Sequence, residues 1–405
     1  MITERIYFED AYRTRFEAEV LHVRGLTAIL QRSAFYPEGG GQPADAGALH
    51  IGAAVARVLD VQVGEDGTVR HTLDHVPDEL RTGVVVSGVI DSSRRREYSA
   101  LHTAQHALSR ALELEADAIT VSARLSGSGA TIDVARAEIP ETLLERAESL
   151  ARSVTNDDVL VRSWFPSASE LASLPLRRVP KVEENIRVVA IGDFDFTPCG
   201  GTHTARSSAL SPIAIIATER HKGLTRITFT AGPRGQRELG EVLRASQRTA
   251  SGLKTSLPDL DGAVQRMRAE LETVRGERGD LRATIASVIA NSIDTSTERA
   301  VLCVVRDDLD AGLVRDLAAR VKGALPASSP VRLVIGLGAP EPTGRPIAVF
   351  RAANSNIDAG KLLRALTSDL GGKGGGRPDF AEGRVPATIS CADLEHLTDR
   401  LLSAL

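Results

Sequence analysis

A chain of 405 residues, 42% hydrophobic and 25% charged, is long enough for two or three domains with ample core. Its 49 basic and 53 acidic residues leave a net charge of −4, which argues against a protein that coats nucleic acid by phosphate neutralisation alone. No apolar run is long enough to span a bilayer, Met1 to Asp10 lacks the basic-then-apolar pattern of a secretion signal, and Cys199, Cys303 and Cys391 make no disulfide framework. A cytoplasmic protein with no membrane partner is expected. A shaped RNA site stays open to local clusters such as Arg94-Arg95-Arg96, Arg177-Arg178 and Arg220-His221-Lys222, each of which is otherwise a solvated face.

Residues 1–90 read as β structure. Ala28-Ile29-Leu30, Val55 to Val63 and Val84-Val85-Val86 are short apolar runs separated by Gly, Asp and Pro, and they predict a small barrel-like β domain. Within it lies Phe35-Tyr36-Pro37-Glu38-Gly39-Gly40-Gly41-Gln42-Pro43. Three consecutive glycines allow positive φ or close backbone approach; a plain hairpin turn explains them as well as a binding loop does. From Asp91 to about Leu114 a helix is predicted, with Asp91 and Ser92 as start signals and Tyr98, Leu101, Gln105, Leu108 and Leu112 as its inner stripe. Gln105 reads as packing. Thr120 to Val134 reads as a hairpin turning at Ser126-Gly127-Ser128-Gly129. A helix should follow Pro140, a strand from Arg187 to Ile191 should lead into a loop at Cys199, and Arg226 to Thr230 alternates as a further strand.

From Leu239 to Val288 apolar residues recur at spacings of four and three, a heptad stripe. Pro258 fits a helix start better than a helix interior, so two helices, a coiled-coil-like hairpin, are expected. The stripe must bury against a second copy or against its own chain. Beyond Ala300 strands at Val301–Val305, Val331–Ile335 and Ile347–Phe350 alternate with helices at Leu309–Leu325 and Ala359–Leu370, an α/β pattern. It contains Gly371-Gly372-Lys373-Gly374-Gly375-Gly376-Arg377-Pro378. That run either presents backbone N–H groups with the Lys373 and Arg377 cations to phosphate or is a flexible linker; it lacks the spacing of a Walker A loop. The whole predicts an α+β chain in four parts: 1–90, the β domain; 91–233, an α+β domain; 234–293, a helical linker; and 294–405, an α/β domain.

Two short motifs carry the chemistry. His102-Thr103-Ala104-Gln105-His106 puts two imidazoles one turn apart on one helix face. Cys199-Gly200-Gly201-Thr202-His203 flanks two glycines that let a tight loop bring Cys and His together. Three imidazoles and a thiol form a natural tetrahedral set for one Zn2+ per chain. With all four bound the site is closed and structural in character. If one ligand leaves, a water or a substrate amine enters.

The HTAQH and CGGTH pair resembles the editing domain of alanyl-tRNA synthetases and their free-standing AlaX-type relatives. FYPEGGGQP resembles the Gly-rich motif of the AlaX N-terminal β domain, and GGKGGGRPDFAEG that of the synthetase C-terminal domain, also found after DHH phosphoesterase domains. Covering most of the chain in order, the resemblance is to the long-form AlaX type, with no stretch suggesting an aminoacylation domain. It implies an ATP-independent trans-editing hydrolase for translation fidelity, acting on tRNA(Ala) mischarged with serine or glycine. His102, His106, Cys199 and His203 would bind zinc. Gly39, Gly40 and Gly41 would line the substrate pocket. Lys373 and Arg377 would grip tRNA, and the helical linker would help form a homodimer. Ser33, where the family commonly has Thr, would read the serine hydroxyl, alone or shared with Gln42; such a reader is needed because a pocket sized for alanine cannot strongly reject serine. Whether the metal activates water or only positions the substrate's amino group stays open. The alternatives are a non-catalytic tRNA-binding protein with a structural zinc and an editing hydrolase for another aminoacyl-tRNA, such as threonyl-tRNA.

Overall fold

Alternation of apolar and polar residues organises the first ninety positions. The computed structural model describes residues 2–127, 129–180 and 182–403; Ser128, in the expected turn at 126–129, lies outside the described residues. Eight strands come first: β1 (Glu4–Arg5), β2 (Arg15–Arg24), β3 (Thr27–Leu30), β4 (Arg32–Ser33), β5 (Gly47–Ile51), β6 (Ala54–Val63), β7 (Val69–Leu73) and β8 (Val85–Ile90). In β2 Phe16, Ala18 and Val20 face inward and Arg15, Glu17 and Glu19 face out. Repeated on each strand, that alternation closes a six-stranded barrel in the order β2-β3-β7-β6-β5-β8, filled by Leu30, Phe35, Leu49 and Leu73 among others. Closure leaves these strands no open edge. The short β1 pairs with β4 in parallel outside the barrel.

The barrel interior also holds a polar pair. His71 is fully buried; its Nδ1–H donates to the Ala28 carbonyl at 3.1 Å. Ser33 Oγ, also fully buried, then donates its single proton to His71 Nε2 at 2.8 Å and accepts from the Phe35 N–H at 3.1 Å. Burial pushes the His71 pKa down to about 4, although the bond to Ala28 opposes it. The folded chain therefore binds fewer protons than the unfolded chain between pH ~6.5 and 4. The stability contributed by neutral His71 is complete above pH ~6.5 and is lost as pH falls towards 4. At roughly 1.4 kcal/mol per pKa unit it amounts to about 3 kcal/mol. Urea unfolding at pH 7 and pH 4.5 should show this loss in the wild type, and the non-titrating His71→Gln should flatten it.

Beyond the barrel, α1 (Ser92–Ala116) begins where the Asp91 side chain accepts from the Ser93 and Arg94 amides, and it ends at Asp117 in the left-handed conformation. The hairpin β9 (Thr120–Ser126) and β10 (Gly129–Val134) follows, then α2 (Glu141–Asn156), β11 (Val161–Trp164) and the short α3 (Ala168–Ser173). The run closes with β12 (Val188–Ile191), β13 (Asp195–Pro198), β14 (Ile213–His221), β15 (Leu224–Ala231) and α4 (Gly232–Gly252). The sheet β14-β15-β10-β9 shares with α1 and α2 a core of Leu101, Leu108, Leu112, Ile132, Ile227 and Phe229. A separate sheet, β11-β12-β13, carries the Cys199 loop at its end. The strand expected at Arg187–Ile191 is present as β12, but it does not lead directly to Cys199. It turns back as β13, antiparallel to itself.

The chain separates into two compact units, Met1–Gly252 and Leu253–Leu405. In the second, α5 (Leu260–Asn291) precedes β16 (Val301–Val305), α6 (Ala311–Ala324), β17 (Leu333–Leu337), β18 (Arg345–Arg351), α7 (Ala359–Leu370), β19 (Lys373–Gly376), β20 (Phe380–Val385) and α8 (Cys391–Ser403). One sheet, β16-β17-β18-β20-β19, is antiparallel except for β16 with β17. The expected break at Pro258 separates α4 from α5. On α5 the buried side chains are Ala286 and Ala290, packed with α6 residues Val314 and Leu317. The stripe residues Met267, Leu271, Val274, Leu281 and Val288 remain exposed.

Within the run from Gly371 to Pro378, Lys373–Gly376 forms the strand β19. It is an edge strand paired with β20, and its glycines serve backbone approach. A Cβ on Gly360 of α7 would overlap the Gly376 carbonyl, and one on Gly374 would crowd Leu363, so α7 can lie directly on β19. The fold is thus a mixed, multi-domain α and β architecture containing a closed barrel.

Candidate metal centre and its cleft

Helix α1 places His102 and His106 on one buried face, and the loop after β13 brings Cys199 and His203 against them. Four ligand atoms, one from each residue, lie within 4.8 Å of one another. His102 Nε2 is 3.5 Å and His203 Nε2 3.3 Å from Cys199 Sγ. Zinc–ligand bonds of about 2.0–2.3 Å at tetrahedral angles set donors roughly 3.3–3.7 Å apart. These two distances fall in that range, and the four residues form a group that could hold a metal ion.

Two of the imidazoles, His102 and His203, are turned inward by a hydrogen bond at the other nitrogen. Gln42 Oε1 accepts from His102 Nδ1 at 2.8 Å and from the Thr202 N–H at 3.1 Å, while Gln42 Nε2 donates to Thr202 Oγ1 at 2.8 Å. Thr103 Oγ1 gives its proton to the Ser99 carbonyl at 2.8 Å, so it accepts from His203 Nδ1 at 3.0 Å and from the Thr204 N–H at 3.1 Å. His106 Nδ1 faces Asp195 Oδ2 at 3.5 Å, long for a hydrogen bond. Asp195 is itself held by Arg177 at 2.6 Å and Thr197 at 2.8 Å.

Electrostatics favours the ligating protonation states of Cys199 and His203, but not of His106. Burial opposes ionisation of Cys199, but the His102 and His203 rings and hydrogen bonds from His102 and His106 outweigh it and hold the thiol well below its usual range. Burial pushes His203 down to about 3 and so keeps it neutral. On His106 burial works against the charge, but Asp195 and Cys199 raise the pKa. Thiolate and neutral imidazole are the forms that bind metal.

The loop is fixed by Arg187. Its Nη1 donates to the carbonyls of Cys199 at 3.0 Å and Gly201 at 2.9 Å, and its own carbonyl accepts from the Cys199 N–H. Gly201 is required where it stands, since a Cβ there would overlap the His102 ring.

The cluster lies in a cleft of about 700 Å3. Gly39, Gly40 and Gly41 line one wall. Gly40 and Gly41 both have positive φ between the paired Gly39 and Gln42, which makes them the centre of a tight hairpin turn. The Gly41 carbonyl also accepts from the Leu125 N–H of β9, and a Cβ on Gly41 would overlap the Ala123 carbonyl. The glycines thus form a hairpin turn that lies on the cleft wall. Gln105 lines the cleft as well as packing, with its Nε2 bonded to Ser109.

The structure brings together His102, His106, Cys199, His203, Gln42 and the three glycines. It does not bring Ser33 to the cleft wall, because the Ser33 hydroxyl is held inside the barrel by His71. Lys373 and Arg377 belong to the other unit, on and just after β19, and both are exposed. Sequence reasoning missed Thr103, Asp195, Thr202 and Arg187. Thr103 and Thr202 lie inside the two motifs, and that was the available signal; Asp195 and Arg187 carried none.

Comparison with known proteins matches three family models: tRNA synthetases class II (A) over residues 6–94, threonyl and alanyl tRNA synthetase second additional domain over 186–228, and the DHHA1 domain over 297–404. The alanyl-tRNA editing protein AlaX-L of Pyrococcus horikoshii is 28% identical over 412 residues, which cover 99% of this chain and 100% of that protein. Along nearly its whole length the chain is similar to an AlaX-type protein. Alanine–tRNA ligases of Pyrococcus abyssi and Halorubrum lacusprofundi are 30% and 31% identical, over 95% and 99% of this chain. The chain spans only 42% and 43% of the length of those ligases. The class II match falls on the stretch that forms the barrel. Among the described residues no helix is long and apolar enough to cross a membrane.

Proposed function

We propose that this chain is a hydrolase that removes serine, and secondarily glycine, from mischarged tRNA(Ala), with one zinc ion held by His102, His106, Cys199 and His203. The observation that carries the reading is the three-imidazole, one-thiol cluster in a cleft lined by glycine backbone and by Arg5, Arg177, Arg178 and Arg187. Likeness to a protein named for alanyl-tRNA editing supports it. Bound zinc supplies a fixed positive charge, either for the charge developing at the ester carbonyl or for anchoring the substrate's amino group.

The chain's own groups do the rest. Gln42 and Thr103 hold His102 and His203 in register, Asp195 faces His106, and Arg187 keeps the Cys199 loop from opening. The Gly39–Gly41 turn lets substrate approach the backbone closely. For Ser33 to read a serine hydroxyl, its Oγ must exchange His71 for that hydroxyl and also become accessible from the cleft, whose wall it does not form. A site that needs this partner rejects alanine by roughly 10⁴-fold. In the second unit Lys373 and Arg377 grip tRNA, and the exposed stripe of α5 joins two copies. The four parts read from sequence divide as barrel, editing domain, helical linker and tRNA-binding domain.

Deacylation of seryl-, glycyl- and alanyl-tRNA(Ala), with threonyl-tRNA(Thr) beside them, tests the proposal. Fast loss of the seryl ester with the alanyl ester spared is expected. The closed, four-ligand character of the cluster favours one rival, a tRNA-binding protein with a structural zinc. That rival is adopted if the folded, zinc-loaded protein binds tRNA but hydrolyses none of the four. Gln42→Leu, which removes the acceptor for His102 Nδ1, is expected to weaken zinc binding about 10–100-fold in a chelator competition, with one zinc still bound at saturation.

A further inference from the structure

Aromatic side chains are scarce in this protein, fourteen in 405 residues, yet Tyr7, Phe8, Tyr36 and Phe165 all line the one cleft that holds the metal cluster. They form a connected series. Tyr7 meets Tyr36 at 5.4 Å and Phe8 at 4.8 Å between ring centroids, and Phe8 meets Phe165 at 5.7 Å, each edge to face. Phe8 is anchored. Its Cε1 lies 3.9 Å from where a Cβ of Gly200 would stand, beside the metal loop, and the Arg187 and Arg5 guanidiniums sit 5.4 and 5.6 Å from its centroid. Phe165 ends the series and keeps 49% of its surface open. It therefore presents a free aromatic surface one ring away from Gly200.

Core packing does not account for an aromatic left half open at a cleft mouth. Arg5 and Arg178 line the same cleft; Arg178 donates to the Thr120 carbonyl at 2.8 Å and Arg5 lies over Phe8, and among the described residues neither forms an ion pair with a carboxylate. A free ring beside guanidiniums without a carboxylate partner is the combination that single-stranded nucleic acid meets, base on ring and phosphate on cation. A nucleoside ester carries its acyl group and its base on opposite sides of the ribose. An ester at the Cys199 loop would therefore extend its base away from the metal ligands, along the aromatic series.

We propose that Phe165, backed by Phe8 and with Arg5 and Arg178 in the same cleft, is the stacking platform for the terminal adenine of the aminoacylated strand. This rests on the hydrolase reading above and adds how the nucleotide end is held. Phe165 takes no part in the chemical step; it positions the ester by holding the base.

The test is steady-state deacylation of a seryl minihelix ending in adenosine, and of the same minihelix with an abasic terminal ribose, by wild type, Phe165→Ala and Phe165→Trp. Stacking of a base on an aromatic residue corresponds to a change of about 5- to 100-fold in binding. Phe165→Ala is expected to raise KM on the adenosine substrate by that factor with kcat within about threefold, and Phe165→Trp to restore it. On the abasic substrate wild type and Phe165→Ala should coincide. An unchanged KM for Phe165→Ala, or an equal rise on both substrates, would overturn the platform while leaving the hydrolase reading intact. If the wild type hydrolyses neither substrate the hydrolase reading fails, and fluorescence anisotropy with the two uncharged minihelices then decides the platform. A wild-type preference for the adenosine end that Phe165→Ala abolishes supports it; equal binding of both by the wild type overturns it.

Discussion

Replacing Cys199 by alanine should abolish tight zinc binding and bring seryl-tRNA(Ala) hydrolysis down to the uncatalysed rate. Cys199 Sγ is the atom on which the cluster converges. It lies within 3.5 Å of two Nε2 atoms and also accepts the Gly201 N–H at 3.3 Å. It is the only anionic ligand in the set, and its charge offsets the cost of placing a dication among buried imidazoles. Changes behind the ligands typically cost about 10–100-fold in metal affinity, and removal of the thiolate should exceed that range. Chelator competition measures the affinity and acid-precipitable counts measure the hydrolysis. Because Cys199 is only half-buried, the variant should fold, and a preserved far-ultraviolet spectrum would exclude loss by unfolding.

The largest expected effect on stability lies away from the metal. Arg95 of α1 and Asp45 beside the Gly-rich turn form an ion pair in which each side chain is only 2% exposed. Arg95 Nη1 and Nη2 also donate to the carbonyls of Ala11 at 2.7 Å and Ala34 at 2.6 Å, and Asp45 accepts the Tyr36 N–H at 2.6 Å. One guanidinium thus ties the histidine helix to three separate segments of the barrel domain. Removing one partner of such a pair leaves a buried charge unpaired, at a cost of about 3–5 kcal/mol. Arg95→Met should lower the unfolding free energy of the first unit by that amount in urea titration. The double replacement Arg95→Met with Asp45→Asn should recover part of it, because it removes the orphaned carboxylate charge as well as the arginine. A loss below about 1 kcal/mol in the single variant would mean that the pair holds nothing together.

How far the molecule was legible from its residues depends on the range of the interaction concerned. Helix α1 was readable because Asp91 caps it and apolar spacing continues without Gly or Pro to residue 116. The four residues of the His/Cys cluster were readable because each pair sits within five residues. The partners of their outer nitrogens were not. Gln42 reaches His102 across 60 residues and Thr202 across 160, and no local pattern marks such contacts. Asp195 carried no signal because β13, four residues with no long alternation, offers none. In the Gly374–Gly376 run composition suggested phosphate or flexibility; close approach of α7 to β19, which the glycines permit, appears only once both elements are placed. Ser33 looked available for substrate because its sequence neighbourhood says nothing of His71, 38 residues away.

The most direct test of the account is the rate of seryl-tRNA(Ala) hydrolysis as a function of zinc occupancy, titrated from chelated to fully loaded protein at constant folded content. The account predicts a rate proportional to bound zinc that saturates at one ion per chain, with alanyl-tRNA(Ala) untouched throughout. Equal hydrolysis by zinc-free folded protein, or none at full occupancy, would contradict it.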